Sequence, residues 1–495
     1  MTTRREFLKN TAGTSVAAVA SISAVQSLAA ADAKAPQKAP AAQPANSYAQ
    51  QLEAARAEAG VTGASFAYWD GKTLHSATAG LRNSVTGDPV TEDTLMLIGS
   101  VTKVLNTALM MQAVDEGKIS LDDPVVKHVP ELRLRDKEAL ARITCRMLVN
   151  HTNGIDGEWM PDYGPDQERI VDCINRCAEL GQLYPPGEAV SYSNIGHVIA
   201  GYLSQKVFGE SWYTLMKARI YEPLDMRHSL VDPLDTPRFR CSTGDITDHK
   251  TGKLVQSPKT FLQPSLSPAG SIQMMTATDL VTFGRALVNG GVGPNGKRFL
   301  SAASAARMAQ RTASAVLISS PVDVGLGWWM MPGGVLEHGG AGRGVSAKLC
   351  AHPATGRVMA LLMNSERAGR LMATFMTPLV QSWTGIEPPP STRNYLSGPV
   401  DPSPYVGTYE NNLSRFEVVA HEGGLAIRYS TKISGLQNAD EARPLLRMYP
   451  RGQDLFDADP PTPGNPKLEM RFVQPRPDRR MRYLALFSRL YPRAA

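Results

Sequence analysis

The sequence predicts an α+β protein, in which an antiparallel sheet is flanked by helices and an all-α subdomain and is followed by a small β-barrel domain. Three observations lead to this prediction. Strand-forming runs lie near both ends of the first 386 residues, a long helical block separates them, and short alternating runs follow a proline-rich stretch. A chain of 495 residues is also too long for one ordinary core, which favours two domains plus tails.

The early part of the chain carries a hairpin and a strong helix. β-Type residues at 63–68 and 73–80 flank an Asp-Gly turn, a pattern typical of two antiparallel strands. Residues 101–116 then repeat apolar side chains at helical spacing, and a glycine follows as a stop signal. Mostly helical patterns continue to about residue 309.

Strand patterns return late in this part of the chain, at 327–331, 345–351 and 358–363. A closing helix is predicted over 371–383. We therefore expect the early and late strands to pair in one antiparallel sheet, within a domain that spans residues 48–386.

A proline-rich linker is predicted at 387–404, and residues 405–495 are expected to form a separate β-rich accessory domain. Their short alternating runs, at 416–419, 425–429 and 468–472, are typical of a small barrel. The sequence assigns no catalytic group to this accessory domain.

The N-terminus resembles an export signal. Arg4 and Arg5 precede an alanine-rich, weakly apolar stretch that ends in small residues, as in twin-arginine (Tat) signal peptides. The signal is predicted to span residues 1–31, and residues 32–47, rich in Ala, Pro, Gln and Lys, are predicted to be a disordered linker. Periplasmic or secreted localisation follows, with no stable membrane span after the signal is cleaved.

Composition narrows the choice of partners and cofactors. A net charge of +6 without a long basic run argues against nucleic acid, and a small-molecule or short-peptide substrate is expected instead. The five cysteines are too few and odd in number for a disulfide framework, and no Cys/His cluster suggests a metal site. No cofactor is predicted, and the oligomeric state stays open.

Ser100 and Lys103 form a Ser-x-x-Lys motif at the start of the predicted helix 101–116. Side chains three residues apart share a helix face, so the amine can reach the hydroxyl. A serine hydroxyl becomes a good nucleophile when a base takes its proton, and a lysine serves as that base when burial keeps it neutral. The motif alone is weak, because serine also occurs commonly as a helix cap.

Further blocks follow this motif in a fixed order. They are residues 115–125, 143–155, 186–187 with Tyr192-Ser193-Asn194, 267–280, and Glu337-His338-Gly339-Gly340-Ala341-Gly342. Together with Ser100 and Lys103 they resemble the serine β-lactamase and penicillin-binding-protein superfamily, in particular its class C-like branch of D-aminopeptidases and esterases. The resemblance covers roughly residues 48 to 385 and implies a β-lactamase-like fold. Residues 405–410 separately resemble the start of the lipocalin-like barrels appended to some peptidases of this family.

The resemblance implies a role for each matching residue. Ser100 would be the nucleophile that forms an acyl-enzyme, and Lys103 and Tyr192 would share the general-base work. Asn194 would orient the substrate or Lys103. The backbone amides of Ser100 and Ala341 would form the oxyanion hole. The substrate-binding set implied in this way is Asn194, His338, Gly339, Gly340 and Ala341.

The third motif carries His338 where penicillin-binding and β-lactamase members usually have lysine. A histidine is largely neutral at pH 7, so it offers no fixed charge to a substrate carboxylate. The sequence therefore favours an exported serine hydrolase of small peptides, D-amino acid amides or carboxylic esters. A β-lactamase or D-Ala carboxypeptidase, with Arg343 holding the carboxylate, and a non-hydrolytic sensor of cell-wall peptides remain the alternatives.

Replacing both Arg4 and Arg5 with lysine is expected to retain the precursor inside the cell, because the Tat pathway reads the arginine pair. Immunoblots of cytoplasmic and exported fractions would show the precursor accumulating and the mature chain, which starts close to Ala31, disappearing. Undiminished export of the double-lysine variant would contradict the Tat assignment.

Overall fold

The computed structural model describes residues 45–158, 169–248, 251–316, 321–386, 393–432, 444–460, 467–486 and 488–494. The predicted signal, 1–31, and nearly all of the predicted linker, 32–47, lie outside the described residues, as does the first part of the linker 387–404. The first described helix begins at Ala45, three residues before the expected domain start.

Fifteen strands precede the proline-rich linker in the described part of the chain. They are β1 (Gly63–Trp69), β2 (Leu74–Asn83), β3 (Asp88–Pro89), β4 (Thr94–Leu97), β5 (Ser229–Leu230), β6 (Arg240–Cys241), β7 (Asp245–Thr247), β8 (Leu254–Gln256), β9 (Met274–Met275), β10 (Ala313–Val316), β11 (Pro321–Val324), β12 (Trp329–Met331), β13 (Val335–Gly342), β14 (Val345–His352) and β15 (Arg357–Met363).

Nine of these described strands form the central sheet, in the order β10-β11-β12-β13-β14-β15-β1-β2-β3. The late strand β15 pairs antiparallel with the early strand β1, so that Ala64 lies opposite Met363. This pairing confirms the predicted sheet built from early and late strands, and the predicted hairpin is the β1–β2 pair. Both faces of β1 are buried because helices cover the sheet on either side.

The described helices are α1 (Ala45–Ala59), α2 (Thr102–Asp115), α3 (Val125–His128), α4 (Lys137–Arg142), α5 (Cys145–Val149), α6 (Arg169–Arg176), α7 (Asn194–Phe208), α8 (Trp212–Met216), α9 (Ala277–Val288), α10 (Ala302–Met308), α11 (Ala368–Leu371) and α12 (Thr377–Thr384). Short π-helical turns at Lys217–Tyr221 and Met372–Met376 extend α8 and join α11 to α12. Among the described residues, no helix has the length and apolar character needed to cross a bilayer.

Helix α2 is the centre of the main core. Every side chain from Thr102 to Ala113 is buried, as expected of a helix that is enclosed on all sides. It packs against α7 and against the 3-10 turn Pro264–Ala269. The first residues of α2, and the turn Gly99–Val101 before it, are therefore held on every side.

The C-terminal part of the chain is an eight-stranded antiparallel meander within the described residues. Its strands are β16 (Gly407–Glu410), β17 (Ser414–His421), β18 (Gly424–Thr431), β19 (Leu446–Gly452), β20 (Leu455–Ala458), β21 (Leu468–Pro475), β22 (Met481–Leu486) and β23 (Arg489–Pro492). A bridge between Tyr409 and Arg493 joins the first strand to the end of the last. The sheet thus curves into a nearly closed barrel around its own apolar core.

The barrel packs against the first domain. Val190 and Tyr192 of the first domain share one apolar cluster with Tyr483, Ala485 and Leu490 of the barrel. The described part of the linker lies on the barrel as well, since the Leu396 amide donates to the Pro450 carbonyl at 2.9 Å.

Candidate active site

Ser100 lies on the 3-10 turn Gly99–Val101, directly before α2, and is 7% exposed. The N-cap positions of this turn and of α2 are Ile98 and Val101, so Ser100 is not the cap of either one. Strand β13 runs close beside this turn. A Cβ on Gly340 would lie 1.9 Å from the Ile98 carbonyl oxygen, so only glycine allows the two backbones to approach in this way.

Lys103 is one turn further along and is completely buried. Its Nζ lies 3.1 Å from Ser100 Oγ and donates to the Ala269 carbonyl at 2.6 Å. Burial lowers the pKa of Lys103 well below its usual range, Glu158 opposes this shift, and Arg489 adds to it. A neutral amine with one N–H directed to Ala269 has its lone pair free to take the Ser100 proton.

Tyr192 comes from the segment that leads into α7, and its ring lies over the lysine: Nζ of Lys103 is 4.7 Å from the ring centroid. The Tyr192 hydroxyl is buried and has no geometrically good hydrogen-bond partner among the described residues. Burial raises the pKa of Tyr192, and the Ser100 hydroxyl offsets part of that rise. The structure thus brings together Ser100, Lys103 and Tyr192, the three residues for which the sequence predicts a catalytic role.

Asn194 is the first residue of α7, two positions after Tyr192. Its Nδ2 donates to Glu158 Oε1 at 3.0 Å. Asn194 therefore lies beside Tyr192, and its side chain is held there by the Glu158 carboxylate.

The third motif forms β13, which carries His338, Gly339, Gly340 and Ala341. The Cβ position of Gly340 is 3.1 Å from the Ser100 nitrogen, and that of Gly99 is 2.6 Å from the Ala341 nitrogen. The two backbone amides expected to form an oxyanion hole consequently lie side by side.

His338 is buried against this site. Burial, and the nearby Lys103, lower its pKa to about 3, so the imidazole is neutral at pH 7. Its Nδ1 lies 2.7 Å from the Gly339 carbonyl, which can only accept, so Nδ1 carries the proton. The Nε2 acceptor is buried and has no partner among the residues described.

His151 has a structural position behind Tyr192. It adopts a left-handed backbone conformation with φ +63°. Its Nδ1 accepts from the Ser193 amide at 3.2 Å, and its carbonyl accepts from the Ser191 amide at 3.0 Å. His151 therefore holds the backbone on both sides of Tyr192.

Sequence reasoning missed two charged residues, Glu158 and Arg489. They form a buried ion pair of 2.6 Å beside Tyr192 and Asn194. Neither belongs to a motif, and 331 positions separate them. A single sequence carries no signal that could have joined them.

These groups suit acyl transfer. A hydroxyl, an uncharged amine and a phenol lie together, and the backbone amides of Ser100 and Ala341 are close by. The fold and this site define a serine hydrolase of the β-lactamase type.

Comparison with known proteins agrees with that class. The family model "Beta-lactamase" matches residues 48–375, and the chain belongs to this family. Penicillin-binding protein 4 of Amycolatopsis lactamdurans is 32% identical over 374 residues, covering 73% of this chain and 96% of that protein.

Two solved structures resemble large parts of the chain. SurE is 26% identical in sequence, and its crystal structure superposes with a TM-score of 0.73 over 91% of this chain and 99% of the SurE chain. SurE has also been solved with D-Leu. A D-stereospecific amidohydrolase from Streptomyces sp. is 26% identical, with a TM-score of 0.53, covering 67% and 99%.

Ser100→Ala is expected to abolish turnover and to leave the fold intact. The hydroxyl caps no helix, so its removal should cost less than about 1 kcal/mol of unfolding free energy, whereas loss of a nucleophile lowers kcat by roughly 10³-fold or more. Ester and amide turnover, together with thermal unfolding, measure the two effects. Wild-type activity in this variant would rule out the mechanism.

Activity is expected to fall as the pH drops through the lowered pKa of Lys103, because the protonated amine cannot take the Ser100 proton. Lys103→Arg places a guanidinium that stays charged at every accessible pH, and should lose roughly 10³-fold in kcat/KM. A pH profile of kcat/KM for both proteins tests this. An arginine variant that keeps the wild-type profile would show that residue 103 is not the base.

Proposed function

We propose that this protein is an exported serine hydrolase that cleaves amide or ester bonds through an acyl-enzyme on Ser100. The observation that carries the proposal is the fully buried Lys103 amine, 3.1 Å from the Ser100 hydroxyl and beneath the Tyr192 ring. A sensor that only binds its ligand has no need of a desolvated base beside a hydroxyl.

In the first half-reaction, Ser100 Oγ attacks the substrate carbonyl carbon and its proton passes to Lys103, with Tyr192 completing the path. The amides of Ser100 and Ala341 hold the oxyanion. The C–N or C–O bond then breaks, and the leaving amine or alcohol takes the proton back from the Lys103–Tyr192 pair.

In the second half-reaction, water attacks the ester formed on Ser100, and the same pair takes the proton from the water. The tetrahedral intermediate collapses, the carboxylic acid leaves, and Oγ recovers its proton. Atoms and charges balance with no cofactor.

The substrate we propose is an uncharged acyl donor, in particular an amide or short peptide of a D-amino acid. Support comes from neutral His338, which presents an acceptor nitrogen and no cation to the site. The names of two relatives point the same way, since one is a D-stereospecific amidohydrolase and SurE has been solved with D-Leu.

Two other substrate classes stay as candidates. A carboxylic ester needs the same acylation chemistry and has the better leaving group. A β-lactam is favoured by the resemblance to penicillin-binding protein 4. It is also favoured by the half-buried Arg343, which lies three residues after Gly340 of the third motif. Export is proposed on the Arg4-Arg5 signal alone.

The substrate proposal predicts that D-amino acid p-nitroanilides are hydrolysed with higher kcat/KM than their L-enantiomers and than nitrocefin. The panel consists of D-Ala, L-Ala and D-Leu p-nitroanilides, p-nitrophenyl butyrate and nitrocefin on the mature protein. A tenfold preference corresponds to about 1.4 kcal/mol in transition-state binding.

Ser100→Ala serves as the blank for each substrate, and a fluorophosphonate probe reports labelling of Ser100 directly. A preference of roughly tenfold for nitrocefin would contradict the interpretation that neutral His338 selects uncharged acyl donors. Arg343→Ala would then test whether Arg343 binds the substrate carboxylate. Binding without turnover of every substrate would instead support the sensor.

A further inference from the structure

The last two strands of the barrel lie directly against the segment that carries Tyr192. The Tyr192 amide donates to the Ser488 carbonyl at 2.9 Å, and the Leu490 amide donates to Ser191 Oγ at 3.0 Å. These two bonds bracket Arg489, and they align the tyrosine segment with the beginning of β23. The barrel is therefore attached to the catalytic tyrosine itself.

Arg489 projects from this contact into the first domain and is only 2% exposed. Its guanidinium carbon lies 4.7 Å from the centroid of the Tyr192 ring, and one of its amines pairs with Glu158 Oε1 at 2.6 Å. The same carboxylate oxygen accepts from Asn194. One barrel side chain thus contacts the catalytic tyrosine and, through Glu158, fixes the asparagine of the same motif.

The barrel also holds the segment that carries Glu158. Asn412, between β16 and β17, accepts from the Glu158 amide at 3.2 Å, and its own amide donates to Asp156 at 2.9 Å. Glu158 is consequently fixed by the barrel at both its backbone and its carboxylate.

We propose that Arg489 is a positioning residue of the active site, supplied by the barrel, which orients Tyr192 directly and Asn194 through Glu158. The proposal rests on the acyl transfer proposed for Ser100. It gives the barrel a direct part in the site, where the sequence had assigned it none.

The charges around Lys103 define how Arg489 acts. Within the described part of the chain, Glu158 raises the pKa of Lys103 and Arg489 lowers it. The three histidines that also face the lysine are neutral, because burial lowers the pKa of each: His151, His197 and His338. Tyr192 stays protonated. Removing Arg489 should therefore raise the pKa of Lys103, and removing Glu158 should lower it.

The test compares Arg489→Met with Glu158→Gln in the full mature chain. Arg489→Met should lower kcat by roughly tenfold or more, with a smaller change in KM, and move the acidic limb of kcat/KM to higher pH. Glu158→Gln should move that limb to lower pH. Arg489→Lys keeps a cation, so the acidic limb of its kcat/KM profile should lie close to that of the wild type. Its kcat should recover less, because an ammonium lacks the planar, bidentate geometry of the guanidinium.

Arg482→Met is the matched control. Arg482 and Glu188 form another ion pair between barrel and first domain, at 3.4 Å on the surface. This variant should keep the wild-type kcat and the wild-type acidic limb of the kcat/KM profile. Asp156→Asn is a second control, since burial raises the pKa of Asp156 to about 6 and its titration must be separated from that of Lys103.

Arg489→Met leaves Glu158 buried without this partner, which can unfold the variant. The double variant Arg489→Met with Glu158→Gln removes both charges. The double variant should fold, and the acidic limb of its kcat/KM profile should lie close to that of the wild type. Its kcat should stay reduced. Wild-type kcat in the double variant, or limbs that move the same way in both single variants, would overturn the proposal.

A readout without substrate separates this inference from the proposed function. ¹³C NMR of the lysine side chains, with Lys103 assigned by its loss in Lys103→Met, gives the direction of its pKa change in Glu158→Gln, in Arg489→Met and in the double variant. A fluorophosphonate that fails to label Ser100 in the wild type would refute the hydrolase, and the NMR comparison would still decide whether Arg489 sets the charge of Lys103.

Discussion

The complete burial of Lys103 is the constraint on which the rest of the site depends. An ammonium that leaves water without a full set of partners loses several kcal/mol, so the enclosed amine favours its neutral form. That form is the one that can accept the Ser100 proton, 3.1 Å away. The all-round burial of α2 and the close approach of β13 both keep water away from this amine.

Neutral histidines and one buried ion pair complete this environment. The histidines fill space around Lys103 without adding charge, and the Glu158–Arg489 pair places opposite charges where their effects on the amine partly cancel. Two nitrogen groups lie near the Tyr192 ring, one from each domain: the neutral amine of Lys103 from α2 and the guanidinium of Arg489 from β23, each 4.7 Å from the centroid. Attraction between the Arg489 cation and the ring helps to hold the ring.

Local patterns predicted the local features. The hairpin β1–β2 and strands β14 and β15 are apolar or β-type runs bounded by turn residues, and the helix that follows Ser100 has apolar residues at helical spacing. Ser100, Lys103 and Tyr192 could be proposed from the sequence because they lie in short motifs. Glu158 and Arg489 could not, since a contact across 331 positions leaves no periodic trace in either segment. The left-handed conformation of His151 was also hidden, because it depends on the bonds that its backbone makes to the Tyr192 segment.

The separation between Glu158 and Arg489 bears on when during folding the protein becomes competent. Contacts between distant segments require closure of a long loop, so they form late compared with hairpins and helices. A chain in which the first domain is folded and the barrel is not would have Ser100 and Lys103 adjacent, while Tyr192 would lack its contact with Arg489 of β23. On the role proposed for Arg489, such a molecule would turn over its substrate at a reduced rate until the barrel has folded.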